Sequence, residues 1–488
     1  MKNFLKILFV CFFGLTSFAQ QATEIDSKSV RLPRYTNLTA IQAAITSPQQ
    51  GMMVYNVGTA TNWYYNGSSW ANLATTTSAP TEAEGFGSWA CSNASLIAYQ
   101  PVGNFNGQIY NYFGISVAIS GVYAIVGANS DNEGFVGGSA TIFKRNSGTG
   151  VWESQGKLTN PSAANSDLFG VSVAISGDYA IVGAYGDDEG IGLTNNGSAT
   201  IFKRNSGTGV WESQGKLTNL NPVTDDLFGV SVAISGDYAI VGANYDDEGF
   251  IDNGSATIFK RNSGTGVWES QGKLTDPSAA ANDHFGNSAA ISGDYAIVGA
   301  YRDDEGFTDN GSATIFKRNS GTGVWESQGK LTNAVSANLD HFGYSVAISG
   351  DYAIVGAYFD DELGFTENGS ATIFKRNSGT GVWESQGKLT NPSAANSDLF
   401  GYSVAISGDY AIVGARSDDE GFTDNGSATI YRRYGNVWRN LPKTSDPSAA
   451  NYDYFGASVA IDGSTARFLI GAFGSSSYKG LAVFGQVK

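Results

Sequence analysis

An all-β fold is predicted by three features of the sequence. The motif Phe-Gly-x-Ser-Val-Ala (Ser-Ala-Ala in the fourth copy) occurs seven times, at intervals of 55 to 59 residues. Each copy contains short apolar segments separated by turn residues, and the composition of 63 Gly, 10 Pro, 24 Tyr and 28 Phe suits short strands joined by tight turns. Four strands per unit, repeated seven times, predict a seven-bladed β-propeller of four-stranded blades, preceded by a small β-rich N-terminal module.

Charge and composition exclude several classes of protein. The chain has 29 Lys and Arg against 45 Asp and Glu, a net charge of −16. Nucleic-acid binding is not expected, because phosphate contact requires clustered cations. An anionic membrane surface would repel the chain. The 41% hydrophobic content is enough to build a core, which excludes global disorder.

The first residues have the pattern of an export signal. Lys2 and Lys6 accompany the apolar run Phe4–Phe18, and the small residues Ser17 and Ala19 suit a cleavage site. We therefore predict a signal peptide over residues 1–20, with an uncleaved anchor as the alternative. The apolar run is short for a membrane span, so the mature chain is predicted to be secreted or at the cell surface without inserting into the membrane.

Three further regions follow the signal. The segments MMVYN, NWYYN and SSWANL, separated by turn residues, predict a β-meander module over residues 21–73. Residues 74–85 are rich in Thr, Ala, Ser, Pro and Glu and are predicted to be a linker. The propeller is predicted over residues 86–488. Because the last unit has only three strand segments, Trp89–Tyr99 is expected to supply its outer strand and close the ring.

The strands within a unit are read from the second copy. Their predicted ranges are Ser172–Ser176, Tyr179–Ala184, Ser198–Lys203 and Val210–Leu217. The second strand is almost continuously apolar, which predicts burial on both faces, whereas the polar fourth strand predicts an outer edge. A tryptophan lies at the start of the fourth segment in six of the copies and is expected to pack between blades.

The motif Phe-Gly-x-Ser-Val-Ala followed by Val-Gly-Ala resembles the FG-GAP repeats of the integrin α-subunit propeller, in the form found in secreted bacterial proteins. This resemblance implies a seven-bladed propeller, an extracytoplasmic location, binding of a ligand on one face and no enzymatic activity. It also implies calcium loops between the first and second strands. The sequence departs from that pattern, because its loop Ser-Gly-Asp-Tyr offers a single carboxylate such as Asp178, whereas calcium takes six to eight oxygens.

An acidic triplet in the loop between the second and third strands is a candidate cation site. With the aspartates of the loops that join blades, these triplets predict a ring of carboxylates on one face, and calcium is the one cofactor considered. A solvated acidic rim is the alternative, because three adjacent acids lack the spacing of a full calcium loop. The candidate metal ligands are Asp187, Asp188, Glu189, Asp246, Asp247, Glu248, Asp303, Asp304, Glu305, Asp360, Asp361, Glu362, Asp418, Asp419 and Glu420.

The positions that differ between copies are the candidate ligand-binding residues. They directly follow Gly-Ala or Phe-Gly, next to the acidic loops, and several are Tyr or Arg, which favour recognition. Drift in unconstrained loops explains the same variation. The candidates are Tyr185, Tyr301, Tyr344, Tyr358, Tyr402 and Arg416.

Three functions are compatible with these features. The first is a non-catalytic binding or adhesion propeller that recognises a protein or glycan on its acidic loop face. The second is a glycan-processing propeller enzyme, which would need two carboxylates in one unique geometry, whereas here the carboxylates repeat around the ring. The third is a structural, fibre-associated surface protein attached through its N-terminal module.

Overall fold

The computed structural model describes residues 96–103, 110–131, 137–446 and 448–487, together with residue 41 and the strand segments of the N-terminal region. The chain divides into two units, residues 1–95 and residues 96–488. Residues 1–20 and 74–85, where the sequence predicts a signal peptide and a linker, lie outside the described residues. Among the described residues, no helix has the length and apolar character needed to span a bilayer.

The N-terminal unit contains six short strands. They are β1 (Ile25–Asp26), β2 (Ser29–Val30), β3 (Arg34–Tyr35), β4 (Met53–Asn56), β5 (Thr61–Tyr65) and β6 (Trp70–Asn72). Strands β4, β5 and β6 form an antiparallel meander, and β3 pairs in parallel with β4. Strands β1 and β2 form a separate antiparallel pair.

The second unit is an all-β propeller of seven four-stranded antiparallel blades, as the repeat predicts. Its first strand in the chain, β7 (Leu96–Gly103), belongs to the last blade. Blades 1 and 2 consist of β8 (Val117–Ser120), β9 (Tyr123–Ala128), β10 (Ser139–Arg145), β11 (Trp152–Leu158), β12 (Ser172–Ser176), β13 (Tyr179–Ala184), β14 (Ser198–Arg204) and β15 (Trp211–Leu217). Blades 3 and 4 consist of β16 (Ser231–Ser235), β17 (Tyr238–Ala243), β18 (Ser255–Arg261), β19 (Trp268–Leu274), β20 (Phe285–Ser292), β21 (Tyr295–Ala300), β22 (Ser312–Arg318) and β23 (Trp325–Leu331).

The remaining blades continue the pattern. Blades 5 and 6 consist of β24 (Phe342–Ser349), β25 (Tyr352–Ala357), β26 (Ser370–Arg376), β27 (Trp383–Thr390), β28 (Phe400–Ser407), β29 (Tyr410–Ala415), β30 (Ser427–Tyr434) and β31 (Val437–Asn440). Blade 7 consists of β32 (Ser458–Asp462), β33 (Arg467–Ala472) and β34 (Leu481–Val487), with β7 as its outer strand, and carries the short helix α1 (Ser475–Tyr478). The pairing of β7 with β34 joins the two ends of the propeller, which leaves no blade incomplete.

The first strand of each blade lies at the centre of the molecule. These strands contact one another in the closed order β8, β12, β16, β20, β24, β28, β32 and back to β8. The second strand is almost entirely buried, as in β13, because it is covered by the blades on both sides. The fourth strand, as in β15, exposes most of its residues at the outer edge. The predicted assignment of buried and edge strands is confirmed.

The Phe-Gly and Gly-Ala pairs lie where neighbouring blades touch. Phe169 is fully buried, and Gly170 has a φ of +94°. A Cβ on Gly170 would come 2.2 Å from the carbonyl oxygen of Ser139 in the preceding blade. A Cβ on Gly183 would come 2.1 Å from the carbonyl oxygen of Gly229 in the following blade. Glycine is required because the backbones of adjacent blades meet without room for a side chain.

The repeated tryptophans pack between blades, as predicted. The Trp211 ring in β15 meets the ring of Tyr123 in the preceding blade edge to face, with centroids 5.8 Å apart. Trp152 stacks on Phe484 at 4.3 Å and so joins the first blade to the last. Aromatic contacts of this kind add to area burial and help to set the blade spacing.

Candidate functional site

Two sets of loops emerge at the same end of every blade, which we call the loop face. One set joins the second strand to the third, and the other joins one blade to the next. Gly197, at the end of the first kind of loop, forms a parallel bridge with Phe228, at the end of the second kind. The acidic triplets and the variable positions both belong to these loops, so they share one face.

Each acidic triplet is bound to a lysine, in an arrangement we call the acidic network. In blade 2, the buried Asp187 accepts hydrogen bonds from Ser198 Oγ and Lys216 Nζ, each at 2.5 Å. Glu189 also accepts from Lys216, and Asp188 accepts from the backbone N–H of Asn195 at 2.8 Å. The corresponding aspartate–lysine pairs are Asp131–Lys157, Asp246–Lys273, Asp303–Lys330, Asp360–Lys388 and Asp418–Lys443.

The remaining triplet residues repeat the contacts of blade 2. Glu248, Glu305, Glu362 and Glu420 bind the lysine of their own blade. Asp247, Asp304, Asp361 and Asp419 accept backbone N–H groups of their own loops. Each predicted metal ligand is therefore engaged within its blade, and a lysine ammonium already stands beside the buried carboxylate. Calcium binding by these loops stays a prediction.

The junction between blades 3 and 4 differs from the other junctions. At the preceding junction, Asn219 donates a hydrogen bond to the buried Asp226 of the joining loop at 2.9 Å. At this junction an aspartate, Asp276, takes the place of that asparagine. Carboxylate oxygens of Asp276, Asp283 and Asp303 lie within 4.8 Å of one another, and all three residues are buried. Lys330 contacts Asp276 at 3.0 Å as well as Asp303.

The extra carboxylate changes the protonation of this junction. Burial, together with the nearby charges of Asp303 and Asp276, raises the pKa of Asp283 to about 7. Burial raises the pKa of the equivalent Asp226 only to about 6. The Oδ2 atom of Asp276 is buried and has no hydrogen-bond partner among the described residues. The third carboxylate at this junction therefore accompanies a higher pKa for Asp283 than for its equivalent Asp226.

A second group of side chains, the inner ring, lies on the loop face nearer the propeller axis. It consists of the residues that follow Gly-Ala and those on either side of Phe-Gly. The Tyr344 ring lies 5.6 Å from Tyr301, 4.3 Å from Tyr358 and 5.1 Å from Tyr402, measured between centroids. The Arg416 guanidinium lies 4.2 Å from the Tyr402 ring centroid, and its Nη1 donates to the Tyr402 hydroxyl at 3.2 Å. Five of the six predicted ligand-binding residues thus form one continuous cluster drawn from blades 4, 5 and 6.

Tyr185, the sixth predicted residue, stands apart from this cluster. It belongs to blade 2 and makes no ring contact within the described part of the chain. Burial raises the pKa of its hydroxyl. The aromatic character of the inner ring is therefore concentrated in blades 4 to 7 and in the first residues of blade 1, and the ring is asymmetric although the blades repeat.

The two histidines of the chain extend the cluster as packing residues. The His284 ring lies between Tyr245, at 4.6 Å, and Tyr301, at 5.4 Å. His341 Nδ1 lies 3.2 Å from the Tyr358 hydroxyl. Burial and then the charge of Arg302 lower the pKa of each imidazole to about 4. Both histidines are therefore neutral near pH 7, and they pack against the aromatic rings.

Several members of the inner ring were not among the predicted residues. Tyr454 stacks on Phe473 at 5.2 Å, and Tyr112 meets Phe473 at 5.9 Å and Tyr478 at 5.8 Å. Tyr112 and Tyr454 occupy the position just before Phe-Gly, which also varies between copies. Comparison of that position among the seven copies would have found them.

A cavity of about 390 Å³ opens beside Arg416, where the last blades meet the first. Arg416, Tyr454 and Phe473 line it together with Tyr112, Asn129 and Tyr478. Among the described residues, Arg416 forms no salt bridge, and its Nε is buried without an acceptor. The side-chain oxygen of Asn129 is also buried and has no donor. The residues that line the cavity thus include aromatic rings, the Arg416 cation and the Asn129 side-chain oxygen, which is a hydrogen-bond acceptor.

The opposite face carries paired charges. Arg204 contacts Asp178 at 2.5 Å and lies 5.2 Å from the ring centroid of Tyr123 in the preceding blade. Arg261 and Arg318 repeat both contacts. The single carboxylate of the loop between the first and second strands is therefore the partner of an arginine.

The fold places the protein among the seven-bladed β-propellers. A family model of the FG-GAP repeat matches residues 106–143, 152–202, 211–259, 268–316, 325–374 and 383–431. These matches cover more than half of the chain, so the chain belongs to the FG-GAP repeat family. A second family model, described as a phage tail like trimerisation region, matches residues 20–85.

Searches among characterised proteins gave no close relative. No curated protein matches the sequence. Two of the similar solved structures are a putative 6-phosphogluconolactonase from Bacteroides uniformis and the periplasmic gluconolactonase of Pseudomonas aeruginosa. Each is 12% identical with a TM-score of 0.45, over 69% of this chain and 86% of the other. A likeness of this degree carries no information on activity.

Proposed function

We propose that this protein is a non-catalytic binding propeller that acts outside the cytoplasm, secreted or at the cell surface, and recognises a glycan or a protein through its inner ring. The observation that carries this proposal is the aromatic cluster of Tyr301, Tyr344, Tyr358 and Tyr402 beside Arg416. These side chains come from three blades yet meet at one partly exposed patch. Tyrosine and arginine supply contact area and polar tips, the features that dominate recognition surfaces.

The arrangement of carboxylates argues against a glycan-processing enzyme. Hydrolysis of a glycosidic bond uses two acidic groups that flank the substrate. The residues that line the cavity beside Arg416 include no acidic side chain. The buried aspartates of the acidic network contact lysine, as Asp187 contacts Lys216. The carboxylates of the acidic network are thus held by lysines and do not line this cavity.

The match over residues 20–85 supports an extension of this proposal. If the N-terminal region joins three chains, the assembly carries three propellers. Three linked binding sites bind a repetitive surface more tightly than one site does. Sedimentation equilibrium of residues 21–488 tests this arrangement. A mass three times that of one chain is expected, and a monomer at all concentrations would reject it.

A binding screen tests the proposed function. Residues 21–488 are applied to glycan and protein arrays, and each hit is confirmed in solution by calorimetry. We expect a ligand whose binding is lost when Tyr301, Tyr358 and Tyr402 are changed together to alanine. The control is Tyr434→Ala, which removes an exposed tyrosine at the far end of a third strand. Ligands that bind the triple variant and the wild type equally would reject the inner ring as the site.

A further inference from the structure

The charge of the inner ring is opposite to that of the protein as a whole. The chain carries a net charge of −16, and its loop face is rich in carboxylates. Yet the charged side chains that contact the aromatic cluster are arginines. Arg416 lies over Tyr402 at 4.2 Å, and Arg302 lies over Tyr301 at 5.7 Å. Neither arginine forms a salt bridge within the described residues, whereas the lysines of the acidic network each bind a carboxylate.

The positive field of the two arginines reaches the tyrosines between them. The charges of Arg416 and Arg302 both act to lower the pKa of the Tyr358 hydroxyl, although burial dominates and raises it. Arg302 also contributes to the lowered pKa of His284 and of His341. Arg416 and Arg302 thus place positive charge beside the aromatic cluster, and Asp309 is an acidic group that acts on Tyr301 from its edge.

The cavity beside Arg416 has two buried polar atoms in its lining residues for which the described residues supply no partner. Among the described residues, Arg416 Nε has no acceptor and Asn129 Oδ1 has no donor, and both atoms are buried. Buried polar atoms are normally hydrogen-bonded, so each one that lacks a partner requires an explanation. A bound carboxylate would accept from the Arg416 guanidinium, and a bound hydroxyl would donate to Asn129.

The shape and lining of the cavity indicate the kind of molecule that carries those groups. Its volume of about 390 Å³ falls in the range of small-molecule sites, roughly 300–1,000 Å³, and not in that of a broad protein interface. The stacked Tyr454 and Phe473 rings offer apolar faces, and Tyr112 and Tyr478 add hydroxyl groups. An apolar ring face edged with hydroxyls and bearing one carboxylate satisfies all of these features.

We propose that the inner ring binds an acidic saccharide, with a uronate-type carboxylate at Arg416, a sugar hydroxyl at Asn129 and a sugar ring in the aromatic cavity. This inference rests on the proposed function and names its ligand class. A longer acidic chain extends over Tyr402 and Tyr344 towards Arg302, which receives a second carboxylate.

The test compares saccharides that differ only in charge. Calorimetry with the full chain measures binding of oligomers of galacturonic, mannuronic and guluronic acid, each beside its methyl ester. At least one free acid is expected to bind, and its ester is expected to bind at least about tenfold more weakly, the scale of one charge-assisted hydrogen bond.

Variants of the two faces complete the experiment. Arg416→Gln is expected to weaken binding of the free acid at least about tenfold. Arg416→Lys is expected to weaken it less, because lysine keeps the positive charge but loses the two parallel N–H donors of the guanidinium. Arg318→Gln, on the opposite face, should leave binding unchanged. Thermal melting of each variant verifies its folding, and if Arg416→Gln does not fold, the ester comparison and Arg416→Lys still decide.

The outcomes separate this inference from the proposed function. Equal binding of acids and esters, no binding of any uronate, or selective binding of acidic peptides would overturn the acidic-saccharide assignment. In those cases the proposed function would still hold if a neutral glycan or a protein binds the wild type but not the triple variant of Tyr301, Tyr358 and Tyr402. If no ligand depends on those tyrosines, both proposals fail.

Discussion

On the loop face, the acidic network repeats from blade to blade, whereas the inner ring changes from blade to blade. In the acidic network, a buried aspartate such as Asp246 meets its own serine and lysine, so the charges are compensated inside the blade. In the inner ring, Arg416 and Asn129 each have a buried polar atom that no residue in the described part of the chain pairs with. The comparison teaches that the copied residues compensate their charges within the blade, whereas the varied residues include polar atoms that the blade does not compensate.

The largest expected effect comes from breaking the acidic network at its lysine. Lys273→Met leaves Asp246 buried without its cation, so the free energy of unfolding should fall by about 3–5 kcal/mol. The control is Lys260→Met, an exposed lysine 5.6 Å from the centroid of the Tyr238 ring, which should cost less than about 1 kcal/mol. Urea unfolding measures both. Similar losses for the two variants would contradict a structural role for the network.

A smaller, stabilising effect is expected at the exceptional junction. Asp276→Asn restores the asparagine found at most of the other junctions and should lower the pKa of Asp283 from about 7 towards the value of about 6 at Asp226. One pKa unit corresponds to about 1.4 kcal/mol, so the unfolding free energy should rise by about that amount above pH 7.

The stabilisation expected for Asp276→Asn depends on pH. Folding raises the pKa of Asp283. Its contribution to the free energy of unfolding is therefore complete below the pKa of the unfolded chain, and it is lost as the pH rises through the folded pKa of about 7. The gain from Asp276→Asn should therefore be larger at pH 8 than at pH 5. The matched control is Asp446→Asn at the last junction, where Ser475 stands in place of the third carboxylate. An equal gain there, or none at either site, would show that the three carboxylates are not coupled.

The lysines of the acidic network predict that calcium leaves the melting temperature unchanged, in contrast to the calcium sites that the triplets suggest in the sequence. A ligand that binds only the folded state raises its stability, but the carboxylates of the triplets already bind lysine, as Asp360 binds Lys388 at 2.6 Å. Melting curves of residues 21–488 in calcium and in excess chelator should coincide. A rise of several degrees in calcium would instead establish the loops as metal sites and revise the acidic network.

Among the substitutions, the smallest effect on stability is expected within the inner ring. Tyr402→Phe removes the hydroxyl that accepts from Arg416 at 3.2 Å and keeps the aromatic ring. Unfolding free energy should change by less than about 1 kcal/mol, the net value of one partly exposed hydrogen bond. Chemical denaturation provides the measurement. A loss comparable to that of Lys273→Met would show that the inner ring is a structural element.

Much of the fold follows from the repeat itself. The recurrence of Phe-Gly and Gly-Ala, the apolar second strand and the polar fourth strand predict blades, their order and the exposed edge, because strand periodicity and turn residues act locally. The predicted ranges Ser172–Ser176 and Tyr179–Ala184 agree with β12 and β13. The varied positions also pointed to five residues that meet in the inner ring.

Other features were decided only by the tertiary structure. The pairing of Asp187 with Lys216 joins the second strand's loop to the outer strand, and the meeting of Tyr301, Tyr344 and Tyr402 joins three blades. Such contacts depend on how blades pack and on which side chains remain without partners, and a repeat shows only what is copied. The sequence by itself determined the propeller and its two unlike faces. The packing of the blades decided which aromatic side chains Arg416 meets, because its contacts with Tyr402 and Tyr454 depend on distances that no local pattern encodes.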